Sequence, residues 1–162
     1  VIFVTVGAQM SFDRMVRAVD DWAGRRGRQD VFAQIGPTDW RPSHVSWTQF
    51  LEPPDFAQRV HDAEVIIAHA GMGSIITAMT TGKPILVMPR RGDLRETRND
   101  HQIATANRFR EMGRVAVAFD ENELAAQLDS LDDLKSVSCV GPWASEQLIT
   151  SIRTFITGEK ES

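Results

Sequence analysis

The chain has 162 residues, enough for one ordinary domain with a real core, and we read 1–162 as a single unit. Its 42% hydrophobic and 25% charged residues are the mix of a globular protein, and a net charge of -4 argues against a general nucleic-acid binder. A lone Cys139 excludes an internal disulfide and fits a reducing compartment; with no secretory signal and no apolar run near the ~20 residues of a membrane span, a cytoplasmic setting is expected.

Val1 to Val6 is a β-branched and aromatic run, read as a buried strand that ends in the turn Gly7 to Ser11. Ser11 or Asp13 is placed to cap a helix whose apolar positions are Met15, Val16, Val19 and Trp22, ending in the basic cluster Arg25 to Arg28. Strands are expected at Val31 to Ile35 and, more alternating, at Val45 to Leu51. Pro53-Pro54 opens a short helix to about Asp62.

Val65 to Gln102 is the densest stretch. Val65 to Ala68 is a strand, Gly71 and Gly73 a glycine loop, and Ser74 a candidate cap for the helix bearing Ile75, Ile76 and Met79. Gly82 stops that helix, Pro84 opens the strand Ile85 to Met88, and an Arg-rich loop leads to a helix over Thr97 to Met112. A strand at Val115 to Phe119, a helix from Glu121 to Leu131 and a last helix from Trp143 to Ile156 complete the reading. Six strand–helix alternations predict an open parallel sheet covered on both faces, a Rossmann-like α/β fold.

In such a sheet, ligands bind beyond the carboxyl ends of the strands, where the strand order reverses. The loops after strands one, four and five meet that condition: Gly7 to Ser11, His69 to Ser74, and Pro89 to Gln102. A glycine loop feeding a helix start is a ready anion site, because unpaired N–H groups and the helix dipole converge there. The same glycines also serve a tight strand-to-helix turn, and the residues alone leave both readings open. The dinucleotide fingerprint is absent, since Ile76 stands where its third glycine belongs. Thr77 and Pro84 exclude a phosphate-loop motif, and Met72 excludes a nucleophile elbow at Ser74. No Asp-x-Asp pair is present to hold a divalent metal, so no metal or other cofactor is expected.

Single residues are less decisive. His69 can bond a phosphate or a loop carbonyl, and Asp100 and Gln102 can bind hydroxyls or simply open a helix. Four arginines between Arg90 and Asp100 face Asp93, Glu96 and Asp100, which fits a solvated, salt-bridged loop better than a diphosphate clamp.

The motifs V-T-V-G-A-Q (4–9), H-A-G-M-G-S (69–74), G-K-P-I-L-V-M-P (82–89) and N-D-H-Q (99–102) together resemble the carboxy-terminal domain of family-28 glycosyltransferases. The likeness extends from Val1 to about Leu131. It is strongest to stand-alone half-enzymes: bacterial exopolysaccharide subunits and the catalytic subunit of the dolichol-linked N-acetylglucosaminyltransferase. It implies one half of a GT-B enzyme that binds a UDP-sugar and inverts the sugar carbon. Gly7, Gly71, Gly73 and Ser74 would then hold the diphosphate and Asp100 and Gln102 the sugar, with Gln9 and His69 in the same substrate-binding set. The glutamate that binds the ribose in many members is replaced here by Thr77, which can hydrogen-bond once but not as a bidentate carboxylate. The resemblance also implies a membrane-anchored partner subunit that carries the catalytic base and a lipid-linked saccharide acceptor. It would hold the chain peripherally at the inner membrane. A non-catalytic nucleotide-sugar module and a small Rossmann-type oxidoreductase are the competing readings.

Overall fold

The structure is a computed structural model that describes residues 1–7, 10–97, 101–112 and 115–130. It contains strands β1 (Ile2–Thr5), β2 (Val31–Gln34), β3 (Ser46–Thr48), β4 (Val65–His69), β5 (Ile85–Met88) and β6 (Ala116–Val117). Between them lie α1 (Asp13–Arg26), α2 (Pro53–Asp62), α3 (Met72–Thr80), a single 3-10 turn at Gly92–Leu94, α4 (His101–Met112) and α5 (Glu121–Asp129). The strands form one six-stranded parallel sheet in the order β3-β2-β1-β4-β5-β6, as the strand–helix alternation predicts.

The strand sequences are apolar at nearly every position because helices cover both faces. Successive side chains alternate between two cores. Ile2, Val4, Val65, Ile67, Leu86 and Met88 pack with Met15, Val16, Val19 and Trp22 of α1 and with Leu124 and Leu128 of α5. Phe3, Ile66, Ala68, Ile85 and Val87 point the other way, onto Val60 of α2, Ile75 and Ala78 of α3, and Ala106 and Phe109 of α4. β3 is the exception: an edge strand with Ser46 and Trp47 exposed, and only three residues long where the sequence suggested seven. A short edge strand is one way a sheet avoids pairing with another chain.

Helix boundaries depart from the sequence reading at their starts. Neither Ser11 nor Asp13 caps α1; Phe12 occupies the cap position without a side-chain bond, and the Asp13 carboxylate instead accepts from Thr38 at 2.9 Å. α3 begins at Met72, so Ser74 lies inside its first turn and is not the cap. α4 begins at His101. α5 does carry a side-chain cap: Asp120 accepts from the Glu123 N–H at 2.8 Å, while Glu123 accepts from the Phe119 N–H. The expected helix from Trp143 to Ile156 lies outside the described residues.

One buried carboxylate organises the approach to β3. Asp20, 3% exposed on α1, accepts the backbone N–H groups of Ser43, His44 and Val45 at 2.7–3.1 Å. Asp20→Ala leaves three donors without a partner, and we predict a loss of about 2–3 kcal/mol in chemical denaturation with an unchanged m-value. A loss under about 0.5 kcal/mol would show that water replaces the carboxylate there.

Candidate functional site

The strand order runs outward from the middle of the sheet in both directions, β1 to β3 one way and β4 to β6 the other. The crevice therefore opens between the carboxyl ends of β1 and β4, and the loops leaving them cannot both cross over it. A cleft of about 720 Å³ lies there, within the usual range for a bound small molecule. Of the residues singled out in the sequence, Gly7, His69, Gly71, Gly73, Ser74, Thr77 and Gln102 all line it. Gln9 and Asp100 lie outside the described residues.

The three glycines do different work. Gly7 has φ 82, a backbone region that side chains disfavour, and a Cβ there would stand 2.8 Å from His69 Nε2. Gly71 would place a Cβ 2.1 Å from His69 Cε1. The imidazole thus lies between two bare backbones, and glycine at both positions makes room for it. Gly73 has neither constraint: its φ is not positive, and a Cβ would meet nothing within 4 Å. The fold does not require a glycine at 73, yet the residue opens the first turn of α3 on the wall of the cleft. The first bond of that turn is the Ile75 N–H to the Gly71 carbonyl at 3.2 Å, so the N–H groups ahead of Ile75 have no partner within the helix.

The Arg-rich loop is less solvated than its composition suggests. Arg91 and Asp93 do form an exposed pair, but Arg90 is only 3% exposed. Its guanidinium donates to the carbonyls of Val6 at 2.6 Å, Ser11 at 2.6 Å and Met10 at 3.0 Å, which fastens the loop after β1 to the loop after β5. Arg14 of α1 adds a bidentate pair with Glu96, both bonds at 2.9 Å. Below Gly7, the Thr5 hydroxyl donates to Gln34 at 2.6 Å and accepts from the Gly7 N–H at 3.2 Å. Gln34 and the apolar wall of Leu51, Pro53 and Phe56 also line the cleft and were not singled out from the sequence as site residues, and Arg90, read there as part of a solvated loop, lines it too. No motif marks them, because strand order alone brings them to the site.

His69 closes β4 as its last residue, so the strand runs one residue further than the sequence suggested. Burial, and secondly the charge of Arg90, lower its pKa from 6.5 to about 4. The Thr77 hydroxyl donates back to the Gly73 carbonyl at 2.8 Å, so only its lone pairs face a ligand.

The model of the glycosyltransferase family 28 C-terminal domain matches residues 1–137. The chain belongs to this family. Its fold is that of GT-B glycosyltransferases, shared with Acinetobacter baumannii MurG (TM-score 0.60, 16% identity, 94% of this chain and 49% of that one). It is shared also with the calicheamicin glycosyltransferase CalG4 (TM-score 0.58, 15% identity, 96% and 43%) and with ALG13 (TM-score 0.55, 20% identity, 80% and 83%). The chain spans less than half of the MurG and CalG4 chains and most of ALG13. Family membership leaves the oxidoreductase reading without support.

A histidine held neutral couples the cleft to stability. The unfolded chain takes up a proton near pH 6.5 and the folded one only near 4, so stability falls as pH drops through that window. The shift corresponds to a loss on the order of 3 kcal/mol. Subtracting the pH–stability curve of His69→Gln from that of the wild type should isolate this loss; parallel curves would mean that folding leaves the imidazole's pKa where it is in the unfolded chain.

Proposed function

We propose that the cleft binds a UDP-sugar and that the chain is the donor half of an inverting glycosyltransferase acting on a lipid-linked acceptor. The observation that carries this reading is Gly73. Its backbone is left bare beside the unbonded N–H groups of a helix start, with no reason internal to the fold. A ligand with phosphate oxygens supplies the reason, because close approach to those N–H groups needs the space that a side chain would fill.

In this reading an acceptor hydroxyl attacks the anomeric carbon from the face opposite the diphosphate. The bond to the β-phosphate oxygen breaks and its electron pair leaves with UDP, while the hydroxyl proton passes to a base on the acceptor-binding half. The α3 start and the neighbouring His69 N–H stabilise charge as it develops on UDP. We assign no metal to this step; among the described residues no three His, Cys, Asp or Glu side chains cluster to hold one.

We further propose that the acceptor half is a membrane-anchored partner subunit, docked over the carboxyl edge of the sheet. Three exposed apolar side chains support that surface: Met10 after β1, Phe50 after β3 and Leu94 after β5 are 43–55% exposed, and each follows a strand's carboxyl end. Among the described residues, no helix is long and apolar enough to cross a membrane. A non-catalytic nucleotide-sugar module is the reading left if no partner restores transfer.

Gly73→Val should keep the fold within about 1 kcal/mol of wild type while removing UDP binding measured by calorimetry. Gly71→Ala should instead destabilise, because its Cβ displaces the imidazole. Retained UDP affinity in folded Gly73→Val would assign the glycine to the turn alone. The chain incubated with a UDP-sugar and a lipid-linked acceptor in detergent should show no sustained transfer until a partner subunit is added. Steady transfer by the chain alone would place the acceptor site on it and end the half-enzyme reading.

A further inference from the structure

Both ends of the Gln102 amide are already bonded inside the protein. Oε1 accepts from the Arg90 backbone N–H at 3.1 Å, and Nε2 lies 3.2 Å from His69 Nδ1. A backbone N–H is only ever a donor, so the oxygen of the amide must face Arg90. The NH2 end therefore faces His69, and an NH2 can only donate. Nδ1 is then the unprotonated nitrogen, and a neutral ring carries its proton on Nε2. That nitrogen lies on the Gly7 side of the ring, where a Cβ on Gly7 would come within 2.8 Å of it. Among the described residues it has no hydrogen-bond partner, and it is not among the fully buried polar atoms left unbonded. His69 itself lines the cleft.

We propose that Gln102 is a positioning residue that holds His69 as a neutral Nε2–H donor on the wall of the cleft. A protonated ring would need an acceptor at Nδ1, and the single oxygen of Gln102 is taken by Arg90. Burial and the nearby guanidinium act in the same direction and keep the ring uncharged. The relay Arg90 N–H to Gln102 to His69 joins the loop after β5 to the end of β4, so one side chain sets both the ring's angle and its tautomer. This is the outer support that fixes which nitrogen of a functional histidine faces the ligand. The tautomer stands on the protein's geometry; that the donor serves a diphosphate rests on the function proposed above.

Long-range ¹H–¹⁵N spectra of the full chain near neutral pH test the relay, with His69→Gln identifying the ring. The expected result is a pyridine-type Nδ1 and a pyrrole-type Nε2 in the ligand-free protein. Gln102→Glu keeps an acceptor for Arg90 but presents an oxygen to the ring, so Nδ1 should become protonated. With UDP as the probe, Gln102→Ala and His69→Ala should each weaken binding about tenfold, and the double variant no more than the worse single one. A pyrrole-type Nδ1 in the wild type overturns the proposal, as does an unchanged ring in Gln102→Glu. Additive losses, or a loss confined to UDP-sugars with UDP itself unaffected, would return Gln102 to the sugar. If UDP does not bind the wild type at all, the donor reading falls and the spectra still decide the relay.

Discussion

A guanidinium buried between two loops underlies the geometry of the site. Arg90 leaves β5 and spends its donors on backbone carbonyls of the segment that follows β1, with Phe12 stacked 5.1 Å from its charge. Burial lowers its pKa, and the charge of Glu96 offsets only part of the effect. Few arrangements make such a group tolerable: a fork of N–H donors matched to several fixed carbonyls is one. The carbonyls gain as well, since a loop crossing the head of a sheet has no ladder to satisfy them. Two loops that share no strand pairing are thereby held as one surface.

Around that clamp, the fold uses glycine in two opposite ways. At Gly7 and Gly71 the missing side chain is replaced by protein, the His69 ring, and the glycines are structural. At Gly73 it is replaced by nothing in the protein. A glycine-rich loop is thus not uniformly a binding signal; the space around each Cβ separates the residues that shape a turn from the one that leaves an opening. His69 links the two classes, because the ring that needs Gly7 and Gly71 is also a wall of the opening beside Gly73.

Much of the architecture was legible because it follows local rules. Apolar runs of four or five residues bounded by glycine and proline mark β1, β4 and β5, and parallel strands buried on both faces leave that signature. The place of the site followed from strand alternation, and seven of its named residues do line one cleft. Helix starts were less legible. The sequence offered Ser11, Asp13 and Ser74 as caps, yet the backbone enters α1 through Phe12 and α3 two residues before Ser74. Tertiary contacts outweighed the local preference: Asp13 is drawn to Thr38, and the first bond of α3 already closes on the Gly71 carbonyl, ahead of Ser74. Arg90 was illegible for a different reason. A run of alternating charges has the composition of a solvated loop, and only the folded topology shows that one of its members points inward.

Thr77 shows how the same constraints bear on recognition. A threonine inside a helix can return its hydroxyl proton to the carbonyl one turn earlier, and Thr77 does so onto Gly73. Thr80 and Thr81 make the same kind of bond farther along α3. Once that proton is spent, Thr77 can only accept, and it accepts without charge. A carboxylate at this point would accept two hydroxyls at once and hold them strongly; a back-bonded threonine accepts one, weakly. Under the proposed function the sugar of the nucleotide is therefore gripped less at α3 than the resemblance implies, and the diphosphate must carry more of the affinity. The Gly73 carbonyl that accepts this bond points, like every helical carbonyl, along the axis and away from the start of α3.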